Sequence, residues 1–291
     1  MSLAVTGATG LVGRFFVEEA LARGEPVTIL GRTPPPPGFF SAPTGFRPYA
    51  LGDRPDLSNL GALVHCAFAH LPGRYRGGEG SDPAGFAAAN LDGSIALFET
   101  ARAAGLRHLV FLSSRAVYGH YPPGTALTET LTPYPDTLYG EVKARAETAL
   151  LSLATDSFAP LALRATGVYG PAGPGRPHKW QTLFDDFRQG RPIAPGRGTE
   201  VHGADLAAAA RLLRDAGARG VFNVSDILLD RHDLLALVAE AEGIPHPLPP
   251  RSDAAVSAMR CDRLAAFGWT PGGLARLTAT IPALCRPCPA N

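Results

Sequence analysis

Val5-Thr6-Gly7-Ala8-Thr9-Gly10-Leu11-Val12-Gly13-Arg14 links a short apolar run, Leu3–Thr6, to a segment of helical spacing, Leu11–Ala22, that stops before Gly24. A strand that turns through glycines straight into a helix leaves the first-turn N–H groups of that helix pointing at whatever lies above the turn. Gly7 allows the tight turn, Gly10 lets the backbone approach an anion closely, and Gly13 lets the helix pack near the sheet. The spacing is GxxGxxG rather than the commoner dinucleotide spacing GxGxxG. Its place between strand and helix predicts a pyrophosphate cradle built from Gly7, Thr9, Gly10, Leu11, Val12 and Gly13.

Outward from this turn the first half alternates strand-like and helix-like segments. Pro26–Leu30, Phe46–Ala50, Ala62–Ala67, His108–Ser113 and Pro160–Arg164 read as strands, and Pro83–Ala104 and Thr137–Leu153 as long helices. Such alternation implies right-handed crossovers and a doubly wound α/β fold, a Rossmann-type parallel sheet that binds ligands at the carboxyl ends of its strands. Beyond Gly167 the texture changes to Gly/Pro-rich loops and shorter helices, which suggests a smaller substrate-binding region, with Val221–Val224 returning to the sheet. The expected division is residues 1–167 and 196–226 for the dinucleotide unit, 168–195 and 227–285 for the smaller unit, and 286–291 for a tail.

Composition limits the partners. The chain has 291 residues, is 45% hydrophobic and 18% charged, and has a net charge of +1, which argues for a sizeable core and against a basic field for nucleic acid or anionic membrane. No apolar run approaches membrane-spanning length, and no leader-like start precedes Leu3, so a cytoplasmic protein acting on a small molecule is expected. Cys66, Cys261, Cys285 and Cys288 are too few for a disulfide scaffold. The Cys285–Cys288 pair has no second pair to complete a zinc site, and no metal is expected.

The end of the second strand, Leu30-Gly31-Arg32-Thr33, carries no acid for a ribose 2′-hydroxyl. An arginine there suits a 2′-phosphate, with Arg14 as a second cation, so NADP is preferred over NAD. Only Lys143 and Lys179 of the 27 basic residues are lysine. Tyr139 and Lys143 lie at i and i+4 on one helix face. With seven tyrosines and two lysines in the chain, chance would give about 0.05 such pairs. An ammonium beside a phenol favours the phenolate, and lowering its pKa by ~3 units takes about 4 kcal/mol. Ser113-Ser114, at a carboxyl strand end 25 residues before Tyr139, supplies a hydroxyl for a reacting oxygen.

Cradle, serine and YxxxK in this order resemble the extended short-chain dehydrogenase/reductase family, also called the NAD-dependent epimerase/dehydratase family. Further similar segments are Leu51-Gly52-Asp53, His65-Cys66-Ala67, Asn90–Gly93, Leu163-Arg164 to Pro171, Val201–Leu206, Phe222–Val224 and Phe267–Pro271, so the likeness spans about residues 2–283. The resemblance implies that Tyr139 is the general acid/base, that Lys143 holds the nicotinamide ribose, and that Ser114 binds the reacting oxygen. It places Asp53 at the adenine and Ala67, Phe68, Asn90 and Ser113 along the cofactor cleft, and gives His202 and Asp205 a structural role. A homodimer through the two long helices is also implied.

Departures narrow the chemistry. Family dehydratases carry an Asp-Glu pair where this chain has Arg115-Ala116, which disfavours dehydration, and the glutamate of the related decarboxylases is missing too. The arginine that holds a diphosphate in the epimerases is displaced to Arg197, and Glu200 would repel an anion. Arg74, Arg76, Tyr118, Arg176, His178 and Lys179 are the candidate substrate contacts. The expected activity is that of an NAD(P)-dependent oxidoreductase or epimerase, with hydride transfer at a secondary alcohol or ketone of a sugar or sugar-nucleotide-like substrate. The alternatives are reduction of a smaller ketone or aldehyde, and an NADP-sensing protein without turnover.

Overall fold

The computed structural model describes residues 2–71 and 77–286. Seven parallel strands form the main sheet in the order β3-β2-β1-β4-β5-β6-β9: β3 is Gly45–Pro48, β2 Val27–Gly31, β1 Leu3–Thr6, β4 Ala62–His65, β5 His108–Ser114, β6 Ala159–Ala165 and β9 Gly220–Val224. The central strands β1, β4 and β6 are buried along their whole length, as expected for a parallel sheet covered on both faces. Alternation decides which side chain faces which layer. Leu3 and Val5 join the core under α1 (Leu11–Ala22) and α6 (Gly203–Asp215), whereas Ala4 joins the opposite core under α3 (Gly93–Ala103) and α4 (Leu138–Ser152).

The long helix expected over 83–104 is interrupted. It runs as α2 (Pro83–Ala87), one π-helical turn (Ala88–Asp92) and then α3. The widened turn buries Asn90, and such insertions recur at functional sites. Thr137 starts α4 by accepting the Gly140 N–H at 3.1 Å, and Asp82 caps α2 by accepting the Gly85 N–H at 2.8 Å.

The smaller region is more ordered than its Gly/Pro texture suggested. A second sheet, in the order β10-β8-β7, is built from Ile227–Asp230, Arg197–His202 and Gly167–Tyr169. This corrects the expected boundary. Residues 197–202 pair in the small sheet, and only from α6 onward does the chain return to the main one. Helices α5 (Gln181–Arg188), α7 (Arg231–Glu242) and α9 (Gly273–Cys285) enclose a separate core around Phe184, Leu235 and Leu277. A four-residue helix, α8 (Asp262–Ala265), lies against β9. Among the described residues, no helix is long and apolar enough to cross a membrane.

Candidate active site

The cradle is closed on two sides by backbone. Gly7 has φ +63°, and a Cβ there would lie 2.8 Å from Ala67 N; a Cβ on Gly13 would lie 2.2 Å from Gly7 O. Helix α1 starts at Gly10 with no side-chain cap and no acid in its first turn. Its leading N–H groups and positive dipole end are therefore available to an anion. The residues present fit the dinucleotide that the glycine spacing implied.

A proton-ordered chain holds this turn. Thr6 Oγ1 accepts the N–H groups of Cys66 and Ala67, each at 3.1 Å, so its own proton goes to His65 Nδ1 at 2.7 Å. His65 Nε2–H then donates to Ser94 Oγ at 3.0 Å, and Ser94 donates to Asn90 O at 2.5 Å. Burial pushes the His65 pKa down to about 3, so the ring is neutral and its tautomer is set by Thr6. The Asn90 amide clamps Ala69 in both directions, at 2.7 Å each, and also donates to Phe86 O at 3.0 Å. Asn90 thus positions the strap after β4 rather than offering a free polar group to a ligand.

At the adenosine end, Arg32 lies exposed just past β2. Arg14 pairs with Glu18 at 3.0 Å, and its Nε is buried with no hydrogen-bond partner among the described residues. Glu18 also accepts from Ser41, which ties α1 to the loop after β2. Asp53 spends Oδ2 on the Ala50 N–H at 2.7 Å and so shapes its own turn.

Strand alternation splits the two serines. Ser113 is buried and donates to Glu147, whereas Ser114 accepts the Ala116 N–H at 3.1 Å and starts a 3-10 turn over Arg115–Tyr118. Helix α4 sits on that turn so closely that a Cβ on Gly140 would lie 2.4 Å from Ala116 O. This packing brings Tyr139 to the end of β5. One turn on, Lys143 is 3% exposed and donates to Leu112 O at 2.7 Å. Its Nζ lies 4.3 Å from the Phe68 ring centroid, 4.5 Å from that of Phe111 and 5.8 Å from that of Tyr139. Phe68 also meets Tyr139 edge-on at 5.1 Å. Burial pulls the Lys143 pKa down to about 7, against the pull of Cys66 and Glu147. Burial also pushes the Cys66 thiol up to about 12.

Glu147 belongs to a network that sequence reading missed. It takes Arg164 through Nε, at 3.1 Å to both oxygens, and through Nη2 at 2.7 Å. Arg164 Nη1 donates to Tyr118 Oη at 2.7 Å, and Tyr118 donates to Asn223 Oδ1 at 2.9 Å. Asn223 Nδ2 in turn holds Leu127 O and Arg260 O, at 3.0 and 3.1 Å. Tyr118, 2% exposed, is therefore a core member of this network and not a substrate contact, because its hydroxyl is already used. The signal available in the sequence was Glu147 four residues after Lys143, on the same helix face.

The remaining substrate candidates scatter. Lys179 is ion-paired with Glu200, and His178 packs edge-on to Phe184 at 5.1 Å, inside the small core. Arg176 closes a turn through its backbone N–H to Gly173 O. Arg74 and Arg76 lie outside the described residues, as does Cys288. Arg115 donates to Ser257 O at 3.0 and 3.3 Å, linking the turn after β5 to the far segment of the small region. His202 caps α6 through Nδ1, and Asp205 receives the Gly272 N–H and Arg276.

A model of the NAD dependent epimerase/dehydratase family matches residues 3–225. The chain belongs to this family. It is 30% identical over 265 residues to sterol demethylase protein B of Methylococcus capsulatus, covering 86% of this chain and 78% of that protein. Among solved structures it is similar to a Thermus thermophilus UDP-glucose 4-epimerase in complex with NAD, at 27% identity and TM-score 0.78, over 98% of this chain and 99% of that one. A Methanobrevibacter ruminantium UDP-N-acetylglucosamine 4-epimerase, at 20% identity and TM-score 0.81 over 98% and 96%, shares the fold. Membership explains why cradle, strand-end serine and YxxxK occur together here.

Proposed function

We propose that this family member is an NAD(P)-dependent oxidoreductase or epimerase that transfers hydride at a secondary alcohol or ketone of a sugar-like substrate. The observation that carries the reading is Lys143, stripped of water under Phe68 and Phe111 and one helical turn from Tyr139, beside the strand end that bears Ser114. The nicotinamide, when bound, supplies or accepts the hydride. Ser114 Oγ donates a hydrogen bond to the substrate oxygen, and Tyr139 Oη passes a proton to it during reduction or removes one during oxidation. Lys143 holds the ribose end of the coenzyme and favours the phenolate. Leu112 O fixes the ammonium for both tasks, while the neighbouring rings exclude water.

NADP is the preferred coenzyme on the strength of Arg32, exposed past β2, and the Nε of Arg14, which has no hydrogen-bond partner among the described residues. Dehydration is disfavoured because Arg115 is held by Ser257 O and Ala116 has no acid to offer. One observation favours the second reading, reduction of a smaller ketone. Phe68 stands over the Tyr139–Lys143 pair and lines the approach with an apolar ring.

The test is Tyr139→Phe, assayed with NADPH and NADH on sugars and simple ketones. General acid/base catalysis contributes about 10²–10⁴-fold, so turnover falls at least about a hundredfold, while coenzyme affinity stays within about twofold and NADPH binds more tightly than NADH. Turnover unchanged by the substitution overturns the assignment. Tight coenzyme binding without turnover on any substrate returns the chain to the sensor reading.

A further inference from the structure

Both lysines of this chain lie at the carboxyl ends of the strands, but only one belongs to the Tyr139 helix. The register pairs Ser114 on β5 with Ala165 on β6, and Gly167 follows two residues later as the first residue of β7. Gly167 therefore lies just past the carboxyl end of β6, the strand that neighbours β5. It lies on the side away from the dinucleotide cradle, since the sheet order runs β1-β4-β5-β6. A Cβ on Gly167 would strike Lys179 Nζ at 2.2 Å and Glu200 Oε2 at 2.4 Å. The charged ends of these two side chains therefore rest on bare backbone beside the catalytic strand. Their side chains are 29% and 13% exposed. Glu200 is set between Gly167 and Ile227 in the middle strand of the small sheet. Burial raises its carboxyl pKa, and Lys179 opposes that rise.

We propose that the Lys179–Glu200 pair forms the substrate-side wall of the cleft, and that Glu200 is a specificity residue which keeps this wall neutral, so that the part of the substrate lying against it is an uncharged hydroxylated or keto group and not a phosphate. The proposal rests on the hydride-transfer reading for the word substrate. Its physical content is separate: an ammonium already matched by a carboxylate offers donors and acceptors to hydroxyl groups without net attraction for an anion. A lone Lys179 would attract one.

The experiment is calorimetric titration of the full chain, saturated with NADP so that the pyrophosphate cradle is already filled, with UDP and with inorganic pyrophosphate. The wild type is expected to bind neither in the millimolar range. Glu200→Gln keeps the shape, removes the charge, and gains affinity for both by about tenfold or more, the factor that one charge-assisted hydrogen bond supplies. The double variant with Lys179→Met loses that gain. Wild-type binding of UDP in the micromolar range overturns the proposal, and so does a Glu200→Gln variant that is folded by thermal melting and gains nothing. If Glu200→Gln fails to fold, Glu200→Ser is read in its place beside the wild-type titration. These titrations need no turnover, so a failed Tyr139→Phe assay would remove the reaction and leave the reading of the wall intact.

Discussion

Replacing Gly13 with alanine is the sharpest test of the cradle, because the collision is with backbone and nothing flexible can move away. The added Cβ would lie 2.2 Å from Gly7 O, 2.7 Å from Gly7 C and 3.0 Å from Ala8 Cα. Ordinary contact begins near 3.4 Å, so α1 must withdraw by about 1 Å. It cannot do so freely, because Glu19 is bonded to Arg211 of α6 at 2.8 Å, and Glu25, in the turn that follows α1, is bonded to Arg214 of α6 at 2.8 Å. Overpacking of this kind costs about 1–3 kcal/mol of stability. At roughly 2 °C per kcal/mol for a chain of this size, the melting temperature falls by about 2–6 °C. Affinity falls further. Amide hydrogen bonds from the first turn of α1 to a bound pyrophosphate would lengthen by a similar 1 Å, and losing about 3 kcal/mol of such charge-assisted bonding weakens coenzyme binding about a hundredfold. The assay is NADPH fluorescence titration with a thermal melt on the same sample. Gly24→Ala is the control, since Gly24 has φ +70° and nothing within 4 Å of its added Cβ. It loses stability through left-handed strain without losing affinity. A Gly13→Ala protein that melts lower yet binds NADPH as tightly as the wild type would refute the cradle.

Two further outcomes follow from buried charge. Glu147→Gln leaves Arg164, 3% exposed, as an unmatched buried cation, and the loss should reach about 3–5 kcal/mol; urea denaturation showing less than 1 kcal/mol would mean that the pair is not sealed from water. Stability should also fall with acidification below pH 6.5. Burial holds the folded pKa of His65 at about 3 and that of His202 at about 4, while both titrate near 6.5 in the unfolded chain. The unfolded state then binds protons that the folded state refuses. The stabilisation is complete above pH 6.5 and drains by about 1.4 kcal/mol per histidine per pH unit, or about 4 kcal/mol for the two at pH 5. Equal denaturation midpoints at pH 7 and pH 5, in the wild type and in a His65→Gln variant, would contradict this.

The first half of the fold was legible because each decision there is local. A strand ending in Gly7, a helix ending before Gly24 and a tyrosine four residues before a lysine are patterns that one element can carry alone. The features that escaped reading depend on several elements at once. Ser113 and Ser114 look equivalent in the sequence, and only the strand pleat sends one to Glu147 and the other to cap the turn over Arg115–Tyr118. Tyr118 reads as a substrate contact until Arg164 on β6 and Asn223 on β9 take its hydroxyl. The π-turn at Asn90 has no signature in a helical pattern, and the Ala69 backbone that Asn90 holds lies twenty-one residues earlier. The second sheet was hidden for another reason: β7 has three residues and begins with glycine, too short a run for alternation to show.

The lysine count also acquires a physical meaning. Against twenty-five arginines the chain has two lysines, and Lys143 occupies a place that suits a compact ammonium better than a flat guanidinium. At Lys143 the charge must end as a single point between two aromatic rings and one carbonyl oxygen. At Lys179 it must come to rest against the bare backbone of Gly167, where even a methyl group would collide. An arginine at Lys143 would need several donors satisfied at once beside two rings and one carbonyl oxygen. Lys143→Arg should therefore disturb the cleft as much as a neutral substitution does, although it keeps the charge, because what the site selects is the compact shape of an ammonium.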